Sequence, residues 1–382
     1  MLKSCHKFLL FHFNGFPRVL SYSSIGSLNY TTTTTTTTTK DESFTVNYLI
    51  NNCGFPLDSA LSVSKRILLR SSQNPDSVLT LFRSLGFSDS DLHLIIRKIP
   101  RLLLSNPTKT LLPKFHFFQS KDASASHFVR IFTANPYLLL RSLDNHLIPT
   151  YNLIYQYLQS DERTLVAVKR CVRLFDFADL QNNIKLLLDT GIREKSLAML
   201  LRQWPWLLVY KFDYLRNKVD EIRNMGLDPS KSRFIAAIYA KALPKSMWES
   251  KAELYKMWGW TDETIHEAFV RHPHCMLISE RKIEEGMQFF VNQMGWDSQL
   301  LVCYPVLLML SLNKRVIPRA SVLEFLLSKD LIPRAFIPHA YYISEEKFLQ
   351  KYVSCFKDQA PQLLKLYEEK MSLSGTDDQC LS

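Results

Sequence analysis

Glycine is scarce in this chain, with 10 residues among 382 against a usual share of roughly 7%. That disfavours folds built on glycine-rich phosphate loops and many tight turns. No Gly-Lys-Ser/Thr, Gly-x-Ser-x-Gly or His-Glu-x-x-His motif occurs, so phosphate-loop, nucleophile-elbow and zincin signatures are absent. No enzymatic activity and no cofactor are expected. Long apolar runs are missing too. Stretches such as Pro305–Leu310 are core-sized, well short of the ~18 residues a membrane helix needs, and no membrane partner is expected. The seven cysteines (Cys5, Cys53, Cys171, Cys275, Cys303, Cys355, Cys380) are scattered, odd in number and never spaced as C-x-x-C. They fit reduced thiols better than a disulfide scaffold.

Acidic residues are absent from Met1 to Lys40, and the first is Asp41. This segment carries Lys3, Lys7, Arg18 and Lys40, the apolar stretch Phe8–Phe13 and a run of nine threonines, Thr31–Thr39. A basic, hydroxylated, acid-free start marks an organellar transit peptide, here with a low-complexity spacer behind it. Arg18-Val-Leu-Ser21 is similar to a mitochondrial processing site, so the expected location is the mitochondrion, with the chloroplast as the alternative. Formal net charge is +11. Setting the first forty residues aside leaves 43 basic against 36 acidic residues, so any argument for an anionic partner rests on where the charges sit.

A repeat organises the rest. Pro-x-Leu-Leu recurs at Pro100, Pro136, Pro205 and Pro305, with a looser copy at Pro273. Gly86, Gly191 and Gly259 each precede their proline by 14 residues, and a second proline follows 13 residues on at Pro113, Pro149 and Pro318. Gly54, Gly86, Gly191, Gly226, Gly259 and Gly295 mark boundaries, with Asp122 and the Gln159–Glu162 segment standing where two glycines are missing. Val172 occupies the proline register in one degenerate copy and Pro244 anchors another. The cell of roughly 32–36 residues repeats eight or nine times. Each cell reads as helical: Leu92, Ile95, Ile96 and Ile99 share one helical face. Ser88 with Asp91 resembles a capping box. Asp228 before Pro229 is an N-cap candidate. The anchor proline breaks the first helix into a short apolar turn, and the second starts a longer helix. Because one cell cannot bury its own apolar face, the expected fold is all-α, a curved α-solenoid.

A thirty-odd-residue helical repeat centred on Pro-x-Leu-Leu resembles the mitochondrial transcription termination factor (mTERF) family. The segments Trp258–Ile265, His272–Ser279, Phe289–Trp296 and Pro305–Arg319 are similar to its plant branch. The resemblance covers nearly everything after residue 43. It implies double-stranded DNA binding and control of organellar transcription, including termination. Some relatives act instead on RNA, in intron splicing or ribosomal RNA maturation. Pentatricopeptide repeats have a similar period and read RNA, but they lack the central Pro-x-Leu-Leu.

Basic residues recur two or three positions before the anchor: Arg97 and Lys98, Lys169 and Arg170, Arg202, Lys241, and Arg271. The same register in successive cells means the same face, so these form a ladder. One reading matches them to a line of phosphates. The other has them at helix C-termini for the dipole alone, worth ~0.3–1 kcal/mol each. The Pro136 copy, with Thr133-Ala-Asn135, leaves a gap. A second cluster, Lys314, Arg315 and Arg319, surrounds Pro318, which is expected to interrupt the helix between the two arginines. His272, His274 and Cys275 are the only dense group of metal-ligand types, and without a second cluster they read as packing. Phe115, Phe117 and Phe118 read as core, as do Trp206 and Trp260. The expected layout is a leader over residues 1–40, the array over 41–332, and capping helices with a disordered tail over 333–382. The expected partner is nucleic acid bound by a monomer, with further protein partners or a pure scaffold role as alternatives.

Overall fold

The computed structural model describes residues 38–333 and 337–373. Of the leader expected over residues 1–40, residues 1–37 lie outside the described residues, as does the tail after Leu373, while Thr38–Lys40 begin the helix Thr38–Cys53. The described chain is helical throughout and contains no strand. No helix in it is long and apolar enough to cross a membrane.

Among the described residues, nine carry the left-handed turn that ends a repeat: Gly54, Gly86, Gly191, Gly226, Gly259 and Gly295, together with Asp122, Gln159 and Asp330. A residue past a helix end must take positive φ to turn the chain back, and only glycine does so without a Cβ penalty. Asp122 and Gln159 sit where the spacing predicts them. Asp330 closes one further repeat that the sequence reading does not mark. Gly286 has another role. A Cβ there would lie 2.8 Å from Leu308 Cδ2, so the helix Glu280–Met287 packs directly on the next anchor turn.

The anchors form 3-10 turns at Pro100–Leu104, Pro136–Leu140, Val172–Phe175, Pro205–Val209, Pro273–Met276 and Pro305–Met309. The residue before each has nearly the same backbone: φ/ψ −133/71 at Ile99, −132/83 at Asn135 and −137/83 at Cys171. The Val172 copy thus keeps the geometry without the proline, because its apolar Leu174 and Phe175 are buried as their counterparts are. The Pro244 copy does not. There the alanine-rich helix Ser232–Ala242 leads through Leu243 and Pro244 straight into Lys245–Met257.

Three sequence expectations are corrected by the helix starts. The second prolines do not begin their helices. Asn106, Ser142 and Ser311 cap one wide turn each, closed by Leu111 N to Asn106 O (3.3 Å), Leu147 N to Ser142 O (3.2 Å) and Val316 N to Ser311 O (3.0 Å). Pro113, Pro149 and Pro318 follow as the second residues of Leu112–Gln119, Ile148–Leu158 and Ile317–Ser328. A proline ring inside an α-helix clashes with the carbonyl four residues back, and an i to i+5 turn widens the helix there. Pro318 therefore does not interrupt the chain between Arg315 and Arg319. Nor does Asp228 cap a helix: its carboxylate accepts from Ser230 N and Oγ, each at 2.9 Å, and the helix starts at Ser232. The Ser88–Asp91 capping box is formed, with Ser88 N donating to Asp91 Oδ2 at 3.0 Å and Asp91 N to Ser88 Oγ at 3.2 Å.

First helices stack on first helices, in the order Asp89–Lys98, Ala125–Ala134, Asp161–Arg170, Glu194–Gln203 and Ser232–Ala242. Second helices form the other layer, and side chains of both interlock. Phe115 and Phe132 meet edge to face at 5.2 Å, Phe118 and Phe175 at 5.9 Å, all fully buried. Burying such a ring stabilises by ~1.5–3 kcal/mol, with a further ~0.5–1.5 from the edge-to-face geometry.

Polar groups also stitch the repeats. A donor from the second helix of one repeat reaches a carbonyl in the anchor turn of the next. Asn74 Nδ2 reaches Leu103 O (2.8 Å), Lys114 Nζ reaches Leu139 O, and Asn183 Nδ2 reaches Leu208 O (3.0 Å) and Tyr210 O (2.8 Å). Lys251 Nζ reaches Met276 O (2.9 Å) and Lys282 Nζ reaches Met309 O (2.7 Å). The 3-10 turn leaves carbonyls without helical partners, and burial makes an unpaired one cost ~1–3 kcal/mol. Past the array, Ser344 caps Glu345–Tyr352 and the helix Leu363–Leu373 packs against Ile317–Ser328, closing the end.

Candidate nucleic-acid interface

The stacking of first helices places their C-terminal ends side by side along one edge. Contacts between rungs show this directly. Arg66 Nη1 and Nη2 donate to the carbonyls of Arg97 (2.9 Å) and Lys98 (2.6 Å), one repeat on. Arg170 Nη1 donates to Arg202 O, and Tyr210 Oη to Ala242 O at 3.2 Å. Burial, and then the Lys169 ammonium, hold His127 on the neighbouring first helix below its usual pKa.

On this edge Arg97, Lys98, Arg170 and Arg202 are exposed and Lys169 is half-buried. None of the five forms an ion pair with a carboxylate among the described residues. The ladder also gains members. Leu68 lies 14 residues after Gly54, so Lys65 and Arg66 fill the same register in a cell without an anchor proline, and both are exposed. Arg101 and Arg173, each directly after its anchor, are exposed as well. The glycine offset could have found the first pair; the second needed the shape of the 3-10 turn, which buries positions one, three and four and turns the second outward.

Farther along, the same residue types are differently engaged. Lys241 Nζ lies 3.7 Å above the Trp248 ring and 3.7 Å from Glu221 Oε1, and burial lowers its pKa. Arg271 binds Glu267 on its own helix, with Nε to Oε1 at 3.2 Å, a bond that raises its pKa. Lys314 is exposed, and Arg315 is half-buried with Nη2 on Ile343 O at 2.8 Å.

Arg319 is a correction. It is 1% exposed and cannot reach a phosphate. Its Nη1 donates to Ala340 O (2.9 Å), Tyr341 O (3.1 Å) and Ile343 O (2.8 Å), and its guanidinium lies 4.6 Å from the Phe348 ring centre. Burial, with Arg315 beside it, lowers its pKa to about 10. The unbroken helix through Pro318 is what brings both arginines to the same carbonyl.

At the Pro273 turn, Cys275 is buried and its carbonyl accepts from Tyr255 Oη at 2.9 Å. The His272 and His274 rings lie 5.2 Å apart, and burial lowers both, His274 to about 4. No group of three or more metal-ligating side chains occurs among the described residues.

An all-α stack of Pro-x-Leu-Leu repeats with a line of exposed cations along its first-helix ends defines a helical-repeat solenoid. The chain belongs to the mTERF family, whose sequence model matches residues 79–186 and 170–349. It is similar to "Transcription termination factor MTERF15, mitochondrial" of Arabidopsis thaliana, at 22% identity over 285 residues, covering 72% of this chain and 56% of that protein. The chain thus spans little more than half the length of that relative.

Proposed function

We propose that this chain is an organellar nucleic-acid-binding protein that regulates organellar gene expression, with double-stranded DNA as its favoured ligand and transcription termination among its outcomes. The observation that carries this reading is the line of exposed or half-buried cations without carboxylate partners: Arg97 and Lys98, then, past the gap at the Pro136 rung, Lys169, Arg170 and Arg202. Each cation that meets a phosphate releases condensed counterions, so affinity falls with salt in proportion to the number of contacts. Such contacts fix position and register without reading sequence. The name of the similar plant protein supports a mitochondrial setting and a role in termination. A stack of helices lying along a duplex could block or position a polymerase.

The test is the salt dependence of binding by the purified chain to duplex DNA and to structured RNA. Replacing Arg97, Lys98, Lys169 and Arg202 by Gln is expected to flatten the log–log salt slope by about three to four, at ~0.9 per lost contact, with the helical circular dichroism unchanged. A wild-type affinity indifferent to salt, or a variant that binds like the wild type, would refute the phosphate reading and favour a protein scaffold.

A further inference from the structure

We propose that Tyr137 is a stacking platform for an unpaired base, held between two cation triplets that grip the flanking phosphates. The proposal rests on the nucleic-acid reading above and adds to it what the ligand must present. In the second position of successive anchor turns stand Arg101, Tyr137, Arg173 and Trp206. The first three share one backbone geometry, so their side chains leave the stack at equivalent points on adjacent rungs. Arg101 joins Arg97 and Lys98, and Arg173 joins Lys169 and Arg170. Between these triplets the ladder has its gap. Thr133 and Ala134 carry no charge there, and their short side chains crowd the neighbouring ring less than Arg or Lys would. Tyr137 is 44% exposed, and no other ring touches it among the described residues. Trp206, by contrast, is half-buried and tilted against Tyr239 at 5.8 Å.

A large exposed ring flanked by cations on both sides matches the pattern that holds single strands: phosphates run along the charges while a base lies on the aromatic face. A perfect duplex keeps its bases paired and offers the ring nothing to stack on. What the ring takes is therefore an unpaired base, in a single strand or in a locally opened stretch of a duplex.

The test compares the full chain with Tyr137→Ala and Tyr137→Phe. The probes are 12-nucleotide single-stranded DNA and RNA carrying 2-aminopurine, and a perfect DNA duplex. Tyr137→Ala is expected to weaken single-strand binding by about 5- to 100-fold, the range of one lost base–aromatic stack. Duplex affinity should stay within about two-fold, and Tyr137→Phe should behave as wild type, with stacking quenching the 2-aminopurine fluorescence. Loss on either the DNA or the RNA strand supports the platform. Unchanged single-strand affinity in Tyr137→Ala, or an equal loss on duplex and single strand, overturns it while leaving salt-dependent binding in place. Absence of salt-dependent binding by the wild type overturns the underlying nucleic-acid reading as well.

Discussion

From Arg97 to Arg202, the cations that precede the anchor turn are exposed or half-buried and no carboxylate pairs with them among the described residues. At Lys241, Arg271, Arg315 and Arg319 the same residue types lie against an indole and a glutamate, a same-helix glutamate, or a set of backbone carbonyls. The family model spans both regions, and left-handed caps recur at similar intervals in both, although the Pro244 copy lacks the anchor turn. Directly after the second proline, Lys114 and Arg319 are both buried against carbonyls, whereas at the register before the anchor, position in the repeat does not decide whether a cation faces solvent. What decides it is the residue that the next repeat, or the next helical turn, brings alongside. Glu221 stands beside Lys241 and Glu267 beside Arg271.

The largest break in this comparison comes from Arg319. Three carbonyls depend on its Nη1, and removing a buried charged donor from such partners costs about 3–5 kcal/mol. Arg319→Met is therefore expected to lower unfolding stability by about that amount, read from the denaturant midpoint. Its salt slope for nucleic acid should match the wild type. A stability loss under about 1 kcal/mol, or a flatter slope, would mean that Arg319 belongs with the exposed cations after all.

Lys114 sharpens the point from inside the first region. It is buried beside Leu139 O and has no acid partner, and desolvation lowers its pKa to about 8 from 10.5. Above 10.5 the ammonium is neutral in both folded and unfolded chains and the burial cost is gone. As pH falls from 10.5 to 8 the unfolded chain takes up a proton that the folded chain, holding the amine in an apolar site, does not, and stability is lost across that window; below 8 the loss is complete. Against Lys114→Met, which does not titrate, wild type should gain about 2 kcal/mol between pH 7 and pH 10. A pH-independent difference between the two proteins would show that Lys114 reaches water.

The repeat boundaries and anchors were legible because they are local. A left-handed C-cap wants glycine, and a helix break wants proline. Even Asp122 and Gln159 could be assigned by spacing. Asp330 escaped because no further anchor proline follows to mark its cell. The wide turns before Pro113, Pro149 and Pro318 also escaped, since their cap residues (Asn106, Ser142, Ser311) each lie seven residues upstream of the proline that requires them. At the interface, the register of the cations was legible and their partners were not. Arg66 reaches 31 and 32 residues ahead, and Arg319 reaches 21 to 24. Contacts across repeats leave no short-range pattern, so the exposed Arg202 and the engaged Lys241, each three residues before its proline, look alike in sequence.

The smallest expected effect is the control that gives the comparison its meaning. Lys241→Gln combined with Arg271→Gln should change nucleic-acid affinity by less than about two-fold, and the salt slope by well under the ~1.8 expected for two lost phosphate contacts. The matched pair Arg97→Gln with Lys169→Gln should show the full drop. The reason is competition. A phosphate approaching Arg271 must displace Glu267, which already neutralises the guanidinium through its Nε bond at 3.2 Å. One approaching Lys241 must draw the ammonium off the Trp248 face and away from Glu221. At Arg97 and Lys169 no carboxylate has to be displaced, so the whole of the counterion release appears as binding. Equal slope losses for the two pairs would show that these internal partners yield to phosphate freely, and the two halves of the array would then form one continuous interface.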